Sequence, residues 1–218
     1  MDIARGNSGE TAPIVGVDFD NTLVSYDALF HRLARERGLI RDDLAPDKRA
    51  IRDRVRQSPE GDIAWQRLQA EAYGPGIDQA RLMSGVERFL LACRQAGLVV
   101  HVVSHKTQYA GCDTTGTDLR QAALGWMRSH GLFAPEGMGL AEDRVHFEPT
   151  RRDKVRRIQA LGCAVFIDDL LETFREPDFP EAVLKILFCP GSPPAERHGL
   201  QVAQTWRDVH ALVLRGRN

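Results

Sequence analysis

The chain has 218 residues, of which 43% are hydrophobic and 27% are charged, and its formal net charge is -1 at pH 7. This composition is typical of a globular protein, and the length favours one domain, or one domain with a sizeable insertion. Because the charges nearly cancel, no overall field would draw the chain to nucleic acid or to a membrane. No apolar run is long enough to span a bilayer.

The cysteines and the N-terminal residues bear on the compartment. Cys93, Cys112, Cys163 and Cys189 include no CxxC pair, which argues against a zinc knuckle or a thioredoxin-like site. Three of the four lie in or beside apolar segments and are predicted to be buried thiols, a pattern that favours a reducing cytoplasm over a disulfide framework. The first 13 residues lack the apolar core of a signal peptide, and we expect them to be disordered.

Five short apolar runs predict β-strands, and most of them are continuous rather than alternating. Such runs are typical of strands that are buried on both faces, as in a parallel sheet. The runs cover residues 14–18, 98–103, 144–147, 164–167 and 183–188.

Helical patterns separate these strands. They cover residues 84–97, about 117–129, 150–162, and a last stretch that begins near residue 205. Ser84 is predicted to cap the first of these helices, and Gly131 and Gly162 are predicted to close the second and third. Strands that alternate with helices predict a doubly wound, mainly parallel α/β sheet, whose ligands bind beyond the carboxyl ends of the strands.

Residues 26–83 interrupt this alternation, because they contain only helical patterns, at about 28–37, 46–57 and 63–72. This is too much helix for one crossover. We therefore predict a helical insertion, or cap, at 26–83 after the first strand, and an α/β core formed by 1–25 and 84–218. The second of its helices is basic and presents either a solvated charged face or one or two arginines that contact an anionic substrate. Its basic residues are Lys48, Arg49, Arg52, Arg54 and Arg56.

Polar side chains occur where four of the predicted strands end. They are Asp18 and Asp20 after the first strand, Ser104 after the second, Lys154 in the helix after the third, and Asp168 and Asp169 after the fourth. In a parallel sheet these ends share one edge, so we expect the side chains to meet there. Clustered carboxylates require a cation such as Mg²⁺, an aspartate can attack phosphorus, and a hydroxyl and an ammonium can hold phosphoryl oxygens. The pattern therefore predicts phosphoryl transfer.

Four motifs, in order, resemble those of the haloacid dehalogenase-like (HAD) superfamily. DFDNTL at 18–23 resembles the first motif, DxDxT, and VVSHKT at 102–107 resembles the second, an apolar strand that ends in Ser or Thr. Lys154 suits the third, a lysine near a helix start, and FIDDL at 166–170 resembles the paired-acid form of the fourth. The resemblance extends from residue 14 to about residue 188. It implies a HAD-like Rossmannoid core with a helical cap of the C1 type.

The resemblance also implies the catalytic and metal-binding residues. Asp18 would be the nucleophile and a ligand of Mg²⁺. Asp20 would be the general acid and base, and its backbone carbonyl would also bind Mg²⁺. Asp169 would bind the metal, with Asp168 beside it as a direct or water-mediated ligand. The fourth motif often has a further acid four or five residues later, where this chain has Thr173 and Phe174, so the acid that completes the metal shell is left open, with Glu172 nearby.

For the phosphoryl group, the resemblance implies Ser104 and Lys154 as ligands, and Asn21 and His105 are further candidates. Two of these residues have a simpler interpretation. Ser104 could cap the following turn, and Lys154 could be an exposed helix lysine behind a capping arrangement at Thr150. The third motif also lacks the proline that often follows its lysine.

An aspartate at position 20 implies the reaction class, because phosphatases of the family have it and family dehalogenases do not. We expect a cytoplasmic, Mg²⁺-dependent phosphatase that hydrolyses a small phosphorylated metabolite through an aspartyl-phosphate. Neither nucleic acid nor membrane is an expected partner, and the sequence does not predict an oligomeric state. One alternative is a polynucleotide or nucleotide end phosphatase, in which FIDD also occurs. Another is a non-catalytic binding module with the same fold.

Overall fold

Strands and helices alternate along most of the chain in the computed structural model, which describes residues 12–191 and 199–215. Its strands are β1 (Ile14–Val17), β2 (Val24–Ser25), β3 (Arg81–Leu82), β4 (Val99–His105), β5 (Val145–Glu148), β6 (Cys163–Asp168), β7 (Leu184–Phe188) and β8 (Gln201–Ala203). Its helices are α1 (Asp27–Glu36), α2 (Lys48–Arg56), α3 (Gly61–Tyr73), α4 (Val86–Gln95), α5 (Leu119–Ser129), α6 (Arg151–Leu161), α7 (Leu171–Phe174) and α8 (Trp206–Val213). The predicted N-terminal disorder falls largely on residues 1–11, outside the described part of the chain.

Six strands form one parallel sheet in the order β5-β4-β1-β6-β7-β8. The central strand β1 pairs on one side with β4, where Val17 lies opposite Val102, and on the other with β6, where it lies opposite Ile167. The chain thus winds outward in both directions from β1, and the crevice beside β1 is the usual ligand site of such sheets. The five predicted strands are present, whereas β8, a three-residue edge strand, was not predicted.

Apolar residues cover both faces of the sheet, which confirms the predicted doubly wound α/β fold. On one face, Val15 and Val17 of β1 belong to a large cluster that includes Phe89 of α4 and Trp206 of α8. On the other face, a smaller cluster joins Phe166 of β6 to apolar residues of α6. Because successive side chains of a strand point to opposite faces, a continuous apolar run serves both clusters.

Two predicted helix starts need correction. Ser84 does not cap α4, because the residue directly before the helix is Gly85, which has a left-handed conformation with φ 94°. A Cβ at this glycine would lie 2.9 Å from Cβ of Trp206, so the backbone comes too close to α8 for a side chain. Helix α5 begins two residues after the predicted Thr117, because the Asp118 carboxylate caps it by accepting from the backbone N–H groups of Arg120 and Gln121.

Residues 26–83, which we predicted to form the helical insertion, contain α1, α2 and α3, and these helices pack on one another, with Phe30 stacked on Trp65 at a centroid distance of 4.8 Å. The antiparallel pair β2–β3 joins the two ends of this insertion, so the chain leaves the sheet and returns at the same place. Two buried indole N–H groups hold these connections. Trp206 donates to the carbonyl of Thr22 at 3.1 Å, and Trp126 donates to the carbonyl of Ala80 at 3.2 Å.

No helix in the described residues is both long enough and apolar enough to cross a membrane.

Candidate active site

The carboxyl ends of β1, β4 and β6 meet at one edge of the sheet and bring three motifs together. Asp18 directly follows β1, and its backbone N–H donates to the carbonyl of Ile167 in β6 at 2.9 Å. Ser104 lies near the end of β4 and Asp168 ends β6. Phe19, between the two aspartates of the first motif, is fully buried and packs edge-to-face on Trp126. The alternation of side chains therefore leaves Asp18 and Asp20 on the side of the site.

Lys154 lies at the centre of this group. Its Nζ is 2.6 Å from Oδ1 of Asp18 and 2.6 Å from Oδ2 of Asp168, and it is only 2% exposed. Thr150 caps α6 by accepting from the backbone N–H of Asp153, which places Lys154 in the first turn of the helix. The interpretation of Lys154 as an exposed helix lysine is therefore wrong, although the capping arrangement at Thr150 is present.

Burial and neighbouring charges shape the acid–base chemistry of this group. Burial disfavours the ammonium of Lys154, but the charges of Asp168 and Asp18 outweigh burial and raise its pKa. Burial raises the pKa of Asp18 to about 6, against the attraction of Lys154, and the charges of Asp168 and Asp20 raise it further. Burial, followed by the charges of Asp168 and Asp18, raises the pKa of Asp169 well above its usual range. The carboxylates therefore repel one another.

Asp18, Asp168 and Asp169 offer oxygens that all lie within 4.8 Å of one another. Lys154 supplies one positive charge against these three negative ones, so a divalent cation would neutralise the remainder. Carboxylate oxygens are the ligands that Mg²⁺ prefers, and the donor set therefore fits the metal that the resemblance implies. Glu172 is exposed and lies outside this cluster. Thr173 is buried, lines the cavity described below, and its hydroxyl has no partner among the described residues.

The two paired acids of the fourth motif have different surroundings. Asp168 is fully buried, and its second oxygen, Oδ1, accepts from the backbone N–H of Leu170 at 2.9 Å. With Lys154 on Oδ2, both oxygens of Asp168 have protein partners. Asp169, by contrast, lines the cavity beside the sheet edge. Asp168 therefore contacts Lys154 and the backbone of the following turn, whereas Asp169 faces the cavity.

Asp20 is held at both carboxylate oxygens. The hydroxyl of Tyr26 donates to Oδ1 at 2.7 Å, and Nζ of Lys106 lies 2.8 Å from Oδ2. Lys106 is itself buried. We did not predict either partner for Asp20. Lys106 stands two residues after Ser104, so the period of a strand places both side chains on the same face, and this signal was available in the sequence.

The predicted phosphate-binding residues all line the same cavity, but their contacts differ. Ser104 is 1% exposed and Lys154 pairs with the aspartates described above. Asn21 adopts a left-handed conformation, which asparagine tolerates, and its Oδ1 accepts from Nζ of Lys48 at 3.0 Å. The His105 ring nitrogen Nε2 lies 3.1 Å from the carbonyl of Pro149, so this histidine already has a backbone partner. Burial lowers the pKa of His105.

The cavity has a volume of about 590 Å³ and lies between the edge of the sheet and the helical insertion. The core side contributes Asp18, Asp20, Asn21, Ser104, His105, Lys106, Lys154 and Asp169. Helix α2 contributes Lys48, Arg49 and Arg52, and helix α3 contributes Gln66, Gln69 and Tyr73. Two arginines of the second helix, Arg49 and Arg52, thus line the cavity, so this helix is not only a solvated charged face, and contact of these arginines with an anionic substrate stays a prediction. Volumes of this order are typical of pockets for small molecules.

Comparisons with known proteins identify the architecture. No protein-family model matches the sequence, and no curated protein does so either. Among solved structures, a HAD family hydrolase from Deinococcus radiodurans with bound phosphate and sodium is similar over 93% of this chain and 95% of its own, at TM-score 0.56 and 18% identity. The HAD-hydrolase YfnB from Bacillus subtilis, bound to magnesium, is similar over 94% of this chain and 99% of its own, at TM-score 0.55 and 13% identity.

The chain has the HAD-like fold. The predicted Rossmannoid architecture is thereby confirmed, since each similarity extends over nearly the whole of both chains. An L-2-haloacid dehalogenase is similar to the same extent, over 94% of this chain and 99% of its own, at TM-score 0.53 and 15% identity. The HAD-like fold therefore accommodates more than one reaction, and the choice between them depends on the residues of the site.

Proposed function

We propose that this protein is a hydrolase that cleaves a small phosphomonoester through an aspartyl-phosphate on Asp18, with Mg²⁺ as cofactor. The observation that carries the proposal is the buried ion-pair group in which Lys154 bridges Asp18 and Asp168 at 2.6 Å each, with Asp20 beside it. This group combines a nucleophile, an ammonium and a second carboxylate at the floor of one cavity.

In the proposed reaction, a carboxylate oxygen of Asp18 attacks phosphorus while the bond to the leaving oxygen breaks. Asp20 gives a proton to that leaving oxygen, so the alcohol departs neutral. Asp20, now ionised, then takes a proton from a water molecule that attacks the same phosphorus. This second step releases inorganic phosphate and restores Asp18. Ser104 and Lys154 bind the phosphoryl oxygens and offset the charge that develops on them.

Asp18, Asp169 and the backbone carbonyl of Asp20 are the groups that would hold Mg²⁺, with Asp168 behind them. A bound Mg²⁺ neutralises charge on the phosphoryl group and so reduces its repulsion of the attacking carboxylate. The YfnB structure contains magnesium and the Deinococcus hydrolase contains phosphate, and both observations support this proposal by analogy.

The surroundings of Asp20 favour phosphate ester cleavage over dehalogenation. A halide leaves without needing a proton, whereas an alkoxide requires one, and Asp20 is the acid positioned to supply it. Tyr26 and Lys106 hold this carboxylate from opposite oxygens, so its position is well defined.

The partner that we propose is a small phosphorylated metabolite rather than a nucleic acid or a membrane. Helices α2 and α3 line the cavity opposite the sheet edge, which suits a ligand that can be enclosed.

The compartment that we propose is the cytoplasm. Cys93 and Cys163 are buried among apolar residues, as expected of structural thiols that stay reduced.

A phosphate-release screen tests the proposed function. The purified protein with Mg²⁺ is incubated with p-nitrophenyl phosphate and with a panel of phosphorylated metabolites, and inorganic phosphate is measured. We expect turnover that EDTA abolishes and that Asp18→Asn lowers by at least about 10³-fold, since this change removes the nucleophile. Asp78→Asn, an isosteric change at an exposed position away from the cavity, is the matched control. Undiminished turnover by Asp18→Asn, or chloride release from an L-2-chloro acid without phosphate release, would contradict the proposal.

A further inference from the structure

Helix α2 presents a basic face to the cavity. Lys48, Arg49 and Arg52 line it, while Ile51 and Val55, which lie within one turn of Lys48 and Arg52 on the helix surface, are buried in the apolar core. The burial of these two residues orients the helix, so that the adjacent cations lie at the wall of the cavity. Lys48 and Arg52 are four residues apart and therefore lie on successive turns of one face.

These cations are only partly neutralised by the protein. Neither Lys48 nor Arg49 forms an ion pair with any described residue, and Arg52 pairs with Asp53 of its own helix. Nζ of Lys48 instead donates to the neutral amide oxygen of Asn21 and lies 5.3 Å from the centroid of the Tyr73 ring.

Four of the five acids that line the same cavity have other partners, and the fifth, Asp169, belongs to the group of three carboxylates that could hold the metal. Asp20 pairs with Lys106 and Asp18 with Lys154. Asp47 accepts from the backbone N–H of Ala50 at the start of α2, and Asp27 accepts from the backbone N–H of Lys48. Positive charge in a partly enclosed cavity without a matching protein carboxylate is costly, and an anionic ligand would offset it.

The basic face extends too far to serve only the transferred phosphoryl group. Lys154 and Ser104 already provide ligands for that group at the sheet edge. Neighbours three or four residues apart on a helix are separated by about 5–6 Å at Cβ, so Lys48 and Arg52 together span more than one phosphate. The neighbouring part of the cavity wall, formed by Gln66, Gln69 and Tyr73 of α3, supplies neutral hydrogen-bonding groups rather than an apolar surface.

We propose that the substrate carries a second anionic group, a carboxylate or a second phosphate, and that Lys48, Arg49 and Arg52 of α2 bind it. This inference rests on the proposed phosphatase function and narrows its substrate class. The transferred phosphoryl group occupies the sheet edge, the second anion lies against α2, and the polar body between them contacts the glutamines of α3. Guanidinium groups suit both candidates, because their planar donors match carboxylate and phosphate oxygens.

Matched compound pairs test the second-anion site. The carboxylate arm compares 3-phosphoglycerate with glycerol 3-phosphate, and the phosphate arm compares propane-1,3-diol bisphosphate with its monophosphate. We expect kcat/KM to favour the anionic member of at least one pair by about tenfold to 100-fold, the range typical of charge-assisted hydrogen bonds. The arm that shows the preference identifies the second anion. A ratio near one in both arms would overturn the inference.

Two arginine variants locate the effect on α2. Arg49→Gln removes a guanidinium that has no ion pair among the described residues, so the helix should fold normally. The preference ratio is the kcat/KM of the anionic compound divided by that of its matched partner. We expect Arg49→Gln to lower this ratio by about tenfold, and Arg49→Gln/Arg52→Gln to lower it further. Arg54→Gln on the same helix, whose side chain bonds Gln57 and does not line the cavity, is the control and should keep the wild-type ratio. Equal ratios in Arg49→Gln and Arg54→Gln would contradict the assignment.

A binding measurement separates this inference from the proposed function. Calorimetric titration of Asp18→Asn in Mg²⁺ with each member of the preferred pair requires no turnover. Tighter binding of the anionic member, lost on adding Arg49→Gln, would support the site even if the wild-type protein released no phosphate. Turnover of both members without preference, and equal binding, would instead retain the phosphatase and remove the second-anion site.

Discussion

At the scale of single residues, the site depends on one buried ammonium. Lys154 bridges Asp18 and Asp168, and all three side chains are almost fully removed from solvent. Buried charges of this kind are retained because each one offsets the cost of burying the others. Lys154 therefore has two roles, since it keeps Asp18 and Asp168 compatible with burial and it would bind the phosphoryl group.

Replacing Lys154 by methionine should expose this double role. Without the ammonium, Asp18 and Asp168 are buried without an ion-pair partner, and we expect the free energy of unfolding in EDTA to fall by about 3 kcal/mol. Urea unfolding measures this change. The double variant Lys154→Met/Asp168→Asn should recover part of the loss, because one of the two unpaired charges is removed. A double variant as unstable as the sum of the single changes would contradict the coupling.

A second residue of the site, Asp20, is held in place by two side chains. Its two oxygens are occupied by Tyr26 and by Lys106, which come from different parts of the chain. The acid and base role that we propose for Asp20 would benefit from a fixed position, because small displacements of a reacting group reduce the rate strongly.

Lys106→Met should therefore lower kcat far more than it changes KM. We expect a loss of about 10²-fold in kcat, the usual contribution of a positioned acid or base, measured by initial rates on the best substrate of the screen. Tyr26→Phe should act in the same direction. Lys185→Met is the control, since Lys185 lies over the ring of Phe179 as Lys106 lies over the ring of Phe19, but Lys185 does not line the cavity. A change in KM alone would indicate that Lys106 binds substrate instead.

At the scale of elements, helix starts fix the site. Helix α6 begins at Arg151 behind the cap Thr150, and this start determines where Lys154 enters the sheet edge. Helix α8 begins in the same way behind Thr205, which forms a capping box with Asp208, and neither residue lines the cavity. The chain thus offers two threonine caps, one at the start of the helix that carries Lys154 and one on a helix that contributes no residue to the cavity.

The two caps give a matched pair of variants. Thr150→Ala and Thr205→Ala should each lower the free energy of unfolding by about 1 kcal/mol, the usual cost of removing a threonine cap. Only Thr150→Ala should also lower kcat/KM, because fraying of the first turn of α6 displaces Lys154. Thermal or urea unfolding and steady-state rates on both variants test this. Equal effects on kcat/KM would show that the loss reflects stability alone.

Elements also show where prediction from the sequence succeeds and fails. The central strands and the helices of the core follow from hydrophobic periodicity, and Thr150 was recognised as a cap from local sequence. Gly85 was not recognised, because its left-handed backbone is required by the approach of Trp206, which is distant in the chain. β2 and β3 were not predicted either, since two residues carry no periodic signal and pair only because the insertion returns to its origin.

At the scale of the whole molecule, a pair of histidines links β4, which carries Ser104, to the neighbouring edge strand β5. His101 of β4 and His146 of β5 share a hydrogen bond of 3.0 Å between Nδ1 and Nε2, and their rings stack. Burial lowers the pKa of both rings. The charge of the other histidine further lowers the pKa of His101, and the charge of Arg157 further lowers that of His146.

This pair should make stability depend on pH. The folded pKa values lie below the value of about 6.5 for an unfolded histidine, so the unfolded chain takes up protons first as the pH falls. The contribution is therefore present above about pH 6.5 and is lost as the pH falls towards the folded pKa. Urea unfolding between pH 8 and pH 5 should show a smaller decline in His101→Gln/His146→Gln than in wild type, and His210→Gln on α8 should follow wild type. An unchanged decline in the double variant would contradict this assignment.

The sequence by itself determined the fold class and the motif residues, because hydrophobic runs specify buried strands and parallel strands end at one edge. It also pointed to the basic second helix of the insertion. Only the tertiary structure decided that Asp168 holds Lys154 while Asp169 faces the cavity, and that Tyr26 and Lys106 hold Asp20. Asp168 and Asp169 are neighbours at the end of one strand, so the local sequence does not distinguish them. Contacts between segments that are distant in the chain, such as those of Asp20, produce no hydrophobic periodicity from which they could be predicted. The roles of such residues are therefore set by packing in three dimensions.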